Sequence, residues 1–347
     1  MLHFFPRYYK DVADQPFATE LRRLGVPHRL FGATLNLRYA TLAGLLLRVY
    51  PTLGWFALRG AARSLLLSRP PPAAAVVGSD IEALVFGLVR LIFRLRTRIV
   101  FETLIVTPRR SPRMDAIHRR YYALILSLID IGICHSSVEV ARNRAAFPAA
   151  RCRFVFVPYG TTVTGRAALM AAAAAAGGQD GAVVAAGRSG RDYRTLAEAV
   201  RGLPCRLDIL CDTAAAVAGI APSAQIRLVA GCFDRAYIAA LAAARLVVVP
   251  LAVDDISAGQ MVLLQASALG KAVIVTRTAT TLEYATEGEE ALFVAMGDVA
   301  GMRAAIRRLI DDPALRARLG ANAARRFERD HSTEAYVRHL VAAVGAG

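Results

Sequence analysis

The chain has 347 residues, 55% of them hydrophobic and 20% charged, enough for two domains with separate cores. Its formal charge of +16 comes from 43 Lys/Arg against 27 Asp/Glu, but the aromatics do not interleave with a basic groove pattern, which argues against a nucleic-acid binder. Five cysteines, odd in number and without a C-x-x-C pair, argue against a disulfide framework or a zinc site and fit reduced thiols in the cytosol.

The opening MLHFFPRYYK lacks a basic stretch followed by an apolar core, so no signal peptide is expected. His3 to Phe5 reads as a short apolar strand, Phe17 to Leu24 as a helix that stops at Gly25, and Val26 to Phe31 as a second strand. Residues 39–68 are strongly apolar yet carry Arg48, Arg59 and Arg63, and Pro51 breaks the run short of the roughly 20 residues a spanning helix needs. They are either core helices or a basic amphipathic surface lying on a membrane. Ala74 to Val77 is a buried strand ending at Gly78-Ser79-Asp80, with Ile81 to Leu95 as the following helix. Further strands are expected over Arg98–Val106, Ile129–Cys134 and Arg153–Val157, separated by helices over Met114–Leu128 and Ser137–Ala146. Strands alternating with helices predict a doubly wound parallel sheet.

An alanine run, Ala167 to Ala176, reads as a linker or short surface helix, after which the pattern restarts. Ala182–Ala186, Arg206–Cys211 and Gln225–Val229 are predicted strands, with helices over Leu196–Arg201 and Asp234–Ala244. Leu246–Val249 is a buried strand, a loop with Asp254, Asp255 and Ser257-Ala258-Gly259 follows, and a helix runs from Gln260 to Gly270. Ala272–Thr276 then completes a βαβ unit of a parallel sheet. Its loop lies where a helix N-terminus offers free N–H groups to an anion such as a diphosphate. Leu309–Glu328 and Thr333–Val344 read as the two closing helices.

Charge separates the halves. Residues 1–160 carry 23 Lys/Arg against 9 Asp/Glu, and residues 161–347 carry 20 against 18. A coding bias toward arginine would enrich both halves alike, so the asymmetry points to a surface that meets anionic lipid or an anionic acceptor. No His/Asp/Glu cluster has metal-ligand spacing, so no bound metal is expected. Walker loops and serine nucleophile elbows are absent.

The stretch 246–298, together with Val157-Pro158-Tyr159-Gly160 and Gly187-Arg188-Ser189-Gly190-Arg191-Asp192-Tyr193-Arg194-Thr195-Leu196, resembles the GT-B-fold, nucleotide-sugar-dependent glycosyltransferases of family 4 (group 1 type). That resemblance implies two Rossmann-like domains facing across a cleft. Residues 1–160 would be the acceptor side, basic and membrane-associated, residues 161–330 the donor domain, and 331–347 a C-terminal helix returning to the first. It covers the last 190 or so residues well and the first 160 only in outline.

Carried over residue by residue, Arg188 and Arg191 would grip the donor diphosphate, where arginine offers bidentate geometry. Cys232 and Phe233, after the strand at 225–229, would contact the base, and Ser257-Ala258-Gly259-Gln260 would form the phosphate-binding turn. The family has two glutamates eight positions apart, one on the donor sugar and one on the ribose. Here those positions hold Ser257 and Gln265, with Asp254 and Asp255 the nearest acids. Family members often have a histidine after the strand matching Arg98–Val106, where this chain reads Phe101-Glu102-Thr103-Leu104. Glu102 and Asp255 are therefore the candidate catalytic carboxylates, with His118 and His135 as alternatives; Glu102 equally fits an ion pair with one of the many arginines.

The implied activity is sugar transfer, with anomeric retention, from a UDP- or GDP-linked donor to a hydroxyl acceptor. A lipid-linked or envelope polysaccharide acceptor at the inner face of the cytoplasmic membrane suits the basic, apolar first half. No bound cofactor is implied. The altered glutamates keep a second reading open, a weak or inactive homologue that binds a membrane or a partner.

Overall fold

The computed structural model describes residues 1–5, 16–31, 49–107, 109, 111–163, 165–175, 181–232, 234–254 and 256–345. They divide into two compact units, Met1–Val157 with Val337–Gly347, and Pro158–Tyr336.

The first unit runs β1 (Leu2–Phe5), α1 (Pro16–Arg23), β2 (His28–Leu30), α2 (Tyr50–Ala61), β3 (Ala74–Val77), α3 (Asp80–Ile92), β4 (Arg98–Phe101), α4 (Pro112–Leu128), β5 (Ile131–Cys134), α5 (Ser137–Ala146) and β6 (Arg153–Phe156). Its six strands are all parallel, in the order β2-β1-β3-β4-β5-β6. β3 and β5 are buried at every position. That is why they read as unbroken apolar runs rather than alternating ones. Ser79 caps α3 by accepting from Glu82 N, and Ser136 caps α5 by accepting from Glu139 N. The predicted strand Arg98–Val106 stops early, at Phe101, because the chain leaves the sheet once Glu102 N has bonded to Val77 O. Of the apolar stretch 39–68, residues 39–48 lie outside the described residues, and the rest forms α2 and a π-helical turn over Ala62–Leu66.

The second unit runs α6 (Arg166–Ala175), β7 (Val183–Ala186), α7 (Tyr193–Val200), β8 (Leu207–Leu210), β9 (Ile226–Val229), α8 (Asp234–Ala243), β10 (Leu246–Val249), α9 (Gln260–Ala268), β11 (Val273–Thr276), α10 (Ala279–Tyr284), β12 (Ala291–Val294), α11 (Val299–Asp311) and α12 (Pro313–Arg326). It then enters α13 (Thr333–Gly345), along which the division between units falls after Tyr336. The strands are again parallel, in the order β12-β11-β10-β7-β8-β9. An apolar layer fills each face of this sheet, one around Leu241, Leu263 and Val249, the other around Leu196, Ile306 and Leu319.

One expected helix is two. Leu309–Glu328 is interrupted at Asp312-Pro313, where Asp312 Oδ1 accepts from Leu315 N at 2.8 Å and Pro313 takes the first position of α12. A proline costs little there, because the N–H it lacks is one the helix would leave unpaired.

The topology locates a crevice. From β7 the chain builds outward through β8 and β9, then returns to place β10 on the other side of β7. The connections at the carboxyl ends of β7 and β10 thus part in opposite directions, and ligands of doubly wound sheets bind at such a switch point.

Candidate functional site

Two sequence segments far apart in the chain meet at this switch point. The loop after β7 begins at Gly187, whose φ of +102° suits glycine, and an added Cβ would lie 2.5 Å from Arg191 Nη2. Arg191 folds back over its own loop, donating from Nε to Ala186 O at 2.8 Å and from Nη1 to Ser189 O at 2.7 Å. Burial lowers its pKa. The Tyr193 hydroxyl donates to Gly187 O from beneath, and Asp192 caps α7 through Thr195 N at 3.0 Å.

The loop after β10 is joined to it by main-chain bonds. Ala252 N donates to Gly190 O at 2.9 Å and Asp192 N to Pro250 O at 3.1 Å. Gly190 sits so close to Val253 that an added Cβ would be 2.5 Å from Val253 Cγ2. Leu251 N donates to Thr276 Oγ1 at 2.8 Å, which ties the same loop to the end of β11.

This second loop leads into α9, which starts unlike its neighbours. Its N-cap is Gly259, at φ 89° and ψ −19°, with no side chain accepting from the first turn. By contrast Asp192, Thr278, Asp298 and Asp312 cap α7, α10, α11 and α12 with side-chain oxygens. Among α-helices of the second unit whose caps are described, α9 alone leaves its first-turn N–H groups without a side-chain acceptor. Those groups and the helix dipole favour an anion. Ser257 Oγ is likewise buried without a hydrogen-bond partner among the described residues.

The predicted donor residues fall into distinct settings. Arg188 is exposed, with Nη1 3.6 Å from Asp212 Oδ2. Gln265, on α9, accepts through Oε1 from the Tyr237 hydroxyl at 3.0 Å. Burial pushes the Tyr237 phenol up to about 12, with Arg191 opposing, so it is a neutral donor. With Oε1 engaged, the Gln265 amide has its N–H groups left to offer a ligand hydroxyl. Cys232 is partly buried against the same apolar layer. Ala258, Gly259 and Gln260 are buried at the start of α9. Phe233 and Asp255 lie outside the described residues. Tyr237 and Thr276 were not singled out from sequence. The one available hint was a lone tyrosine in α8, Asp-Arg-Ala-Tyr-Ile-Ala-Ala-Leu-Ala-Ala.

In the first unit, Glu102 is half-buried just past β4. His135, at the end of β5, is buried. Its Nδ1 lies 2.9 Å from Val157 O and its Nε2 3.4 Å from Thr103 Oγ1. The carbonyl requires Nδ1 to carry the proton, so Nε2 accepts from threonine. Burial drops the pKa of this ring to about 4, keeping it neutral. His118 Nε2 lies 3.1 Å from Arg109 Nη2, and burial first, then the arginine, lowers its pKa. Among the described residues no group of three or more His, Cys, Asp or Glu could hold a metal ion.

Residues 222–326, from just before β9 through α12, match the family model for glycosyl transferases group 1. Over 72 residues the chain is 43% identical to the lipopolysaccharide core biosynthesis glycosyltransferase LpsD of Rhizobium meliloti. That match covers 20% of this chain and 21% of the relative, so the chain spans about a fifth of the length of the curated protein it matches. Among solved structures, sucrose-phosphate synthase from Thermosynechococcus elongatus superposes with a TM-score of 0.70 at 18% identity, covering 98% of this chain and 97% of that one. The UDP-forming α,α-trehalose-phosphate synthase of Burkholderia vietnamiensis gives 0.66 at 12% identity, with 100% and 99% covered. Anabaena HepE, in complex with UDP and glucose, gives 0.64 at 14% identity, also with 100% and 99% covered. The protein thus has the two-sheet α/β architecture of GT-B glycosyltransferases.

Proposed function

We propose that this protein is a glycosyltransferase whose donor is a nucleotide diphosphate sugar seated at the β7/β10 switch point. The observation that carries the reading is the uncapped start of α9, at the end of a loop whose Pro250 and Ala252 are joined by main-chain bonds to Asp192 and Gly190. As the bond from the anomeric carbon to the diphosphate breaks, negative charge grows on the leaving oxygen. Fixed N–H groups and the Arg188 guanidinium oppose that charge without having to reorganise. The acceptor hydroxyl oxygen bonds to the anomeric carbon, and its proton passes to the departing phosphate or to a carboxylate. Glu102 and Asp255 are the carboxylates proposed to contact the reacting centre. Gln265, oriented by Tyr237, takes the ribose hydroxyls, Cys232 and Phe233 flank the base, and Arg191 braces the loop that carries Arg188.

UDP is the first nucleotide to test and GDP the second, because the HepE structure holds UDP. The acceptor is proposed to be a lipid-linked or envelope polysaccharide intermediate, met by a peripheral protein at the inner face of the cytoplasmic membrane. The LpsD match and the basic first unit support this. Anomeric retention goes with the family resemblance. A second reading, a catalytically weak GT-B protein, is favoured by the hydroxyl and amide at the two family glutamate positions, Ser257 and Gln265. Incubating the purified protein with a panel of UDP- and GDP-sugars separates the two. Release of UDP or GDP, with the product anomer assigned by proton NMR, supports transfer; binding without turnover of any donor supports the second reading.

A further inference from the structure

We propose that the amino edge of the first sheet is a docking surface for an anionic lipid bilayer. This rests on the membrane placement proposed above and gives it a surface. Two loops meet at that edge. Thr97 Oγ1 donates to Pro72 O at 2.8 Å, Arg98 N donates to Ala73 O at 3.0 Å, and β3 and β4 begin in register at Ala74 and Arg98. The chain reaches β3 past Leu67 and Arg69, and reaches β4 past Leu91, Ile92, Phe93, Arg94 and Arg96. Leu67 is 73% exposed, Ile92 70% and Phe93 54%, so large apolar side chains stand in water where the two loops adjoin. The chain comes to this edge from α2, whose Gly60 lies against Phe5 at the carboxyl end of β1 and after which Ser64 Oγ lies 2.8 Å from His3 Nδ1 nearer its start, so Leu67 is the exposed apolar residue of that segment at the amino edge.

Basic residues outnumber acids around these side chains: the acid at this edge, Asp130, is held by Arg90 and by Ile99 N. No Asp or Glu occurs between Glu20 and Asp80, or between Glu82 and Glu102. Arg69, Arg94 and Arg96 are exposed, and none has an ion pair among the described residues. Arg94 has φ 52° where α3 ends, with Leu95 N bonded to Arg90 O at 3.0 Å. Glycine usually fills that position. An arginine retained there against its backbone preference points to a use for charge at the tip. A purely basic patch would suit any polyanion, and a purely apolar one a protein partner. Arginines among exposed leucine, isoleucine and phenylalanine match lipid phosphates over an acyl layer. No described helix is long and apolar enough to cross a membrane, so the contact is with one leaflet.

Trp55 is the only tryptophan, so Phe93→Trp in a Trp55→Phe background gives the surface a single indole reporter. With phosphatidylcholine vesicles containing phosphatidylglycerol, its emission should shift to the blue and be quenched by lipids brominated in the acyl chain. Pure phosphatidylcholine should leave it nearly unchanged. Reversing Arg69, Arg94 and Arg96 to Glu should weaken partitioning at least a hundredfold, roughly, at low salt. Leu67→Ser, Ile92→Ser and Phe93→Ser together should remove the part of binding that survives high salt. An indole at position 93 that stays unquenched in anionic vesicles, or equal partitioning into neutral ones, overturns the proposal. So does a dimer that the serine variant dissociates while vesicle binding is unchanged. Should the variants fail to fold, co-sedimentation of the wild-type protein with anionic against neutral vesicles decides alone. Vesicle binding with no nucleotide-sugar binding would count against the transferase reading and leave this surface standing.

Discussion

Arg188 and Arg191 share a loop but not an environment. Arg188 is exposed beside Asp212, whereas Arg191 commits two donors to the carbonyls of Ala186 and Ser189. Arg188→Ala should weaken UDP or GDP binding by about 1.5–3 kcal/mol, the worth of a charge-assisted contact, with an unchanged thermal midpoint. Arg191→Ala should weaken binding and also cost about 1–3 kcal/mol of stability, because two carbonyls lose their donors. Calorimetry and thermal melts on both variants check this, and identical behaviour would mean Arg191 does not brace the loop. For the Tyr237–Gln265 pair, Tyr237→Phe should raise the donor KM several-fold, roughly, at little cost in kcat, since the amide loses its orientation. Gln265→Glu should keep substantial activity, because a carboxylate accepts from both Tyr237 and a ribose hydroxyl. An unchanged KM in Tyr237→Phe removes the pair from donor recognition. The family resemblance singled out Arg188 and Gln265 as donor-binding candidates. It did not single out Tyr237, which is joined to Gln265 across 28 positions by contact between α8 and α9.

At the scale of elements, what was legible followed local rules. Unbroken apolar runs placed Ala74–Val77 and Leu246–Val249 to the residue, because strands buried on both faces have no polar alternation. α10 went unread because six residues are too few to show a period; β12, an apolar run like the strands that were read, and α11 before Leu309 were also passed over. The break at Asp312-Pro313 was written in the sequence as a cap followed by proline, but apolar periodicity on both sides masked it. Main-chain joining of the two site loops was not legible at all, because it depends on β7 and β10 lying side by side. Gly190 tests that joining. Its φ of +63° and its 2.5 Å approach to Val253 leave no room for a methyl group. Gly190→Ala should destabilise the protein by roughly 1–3 kcal/mol and weaken nucleotide binding with it. Urea unfolding that leaves stability unaltered would contradict the close approach.

Across the whole molecule, both units are built on six-stranded parallel sheets but differ in strand order and in chemistry: one strand, β2, lies beyond β1, whereas two, β8 and β9, lie beyond β7. Alternating strands and helices made the paired parallel sheets predictable, and both sheets carry a switch point, at β1/β3 and at β7/β10. Only charge counts hinted that the units differ, with the arginine excess confined to the first half. The first unit also buries two histidines, His3 and His135. Burial is the main cause that lowers each to about 4, from an ordinary value of 6.5. The unfolded chain therefore takes up these protons near pH 6.5, while the native unit resists until about pH 4. Their contribution to stability is complete above 6.5 and lost as pH falls through that window, on the order of 3 kcal/mol for each group. Scanning calorimetry should show the first unit's transition moving down between about pH 6.5 and 4, and less steeply in His135→Asn. A midpoint that stays flat across that range would contradict neutral burial.

The nucleotide diphosphate is proposed to sit where two loops of the second unit meet ahead of α9. Amide hydrogen exchange read peptide by peptide, with and without saturating UDP or GDP, tests that placement. The predicted result is slowed exchange in peptides spanning Gly187–Arg191 and Ser257–Gln265, diminished in Arg188→Ala. Nucleotide binding that protects other segments and leaves those two unchanged would contradict it.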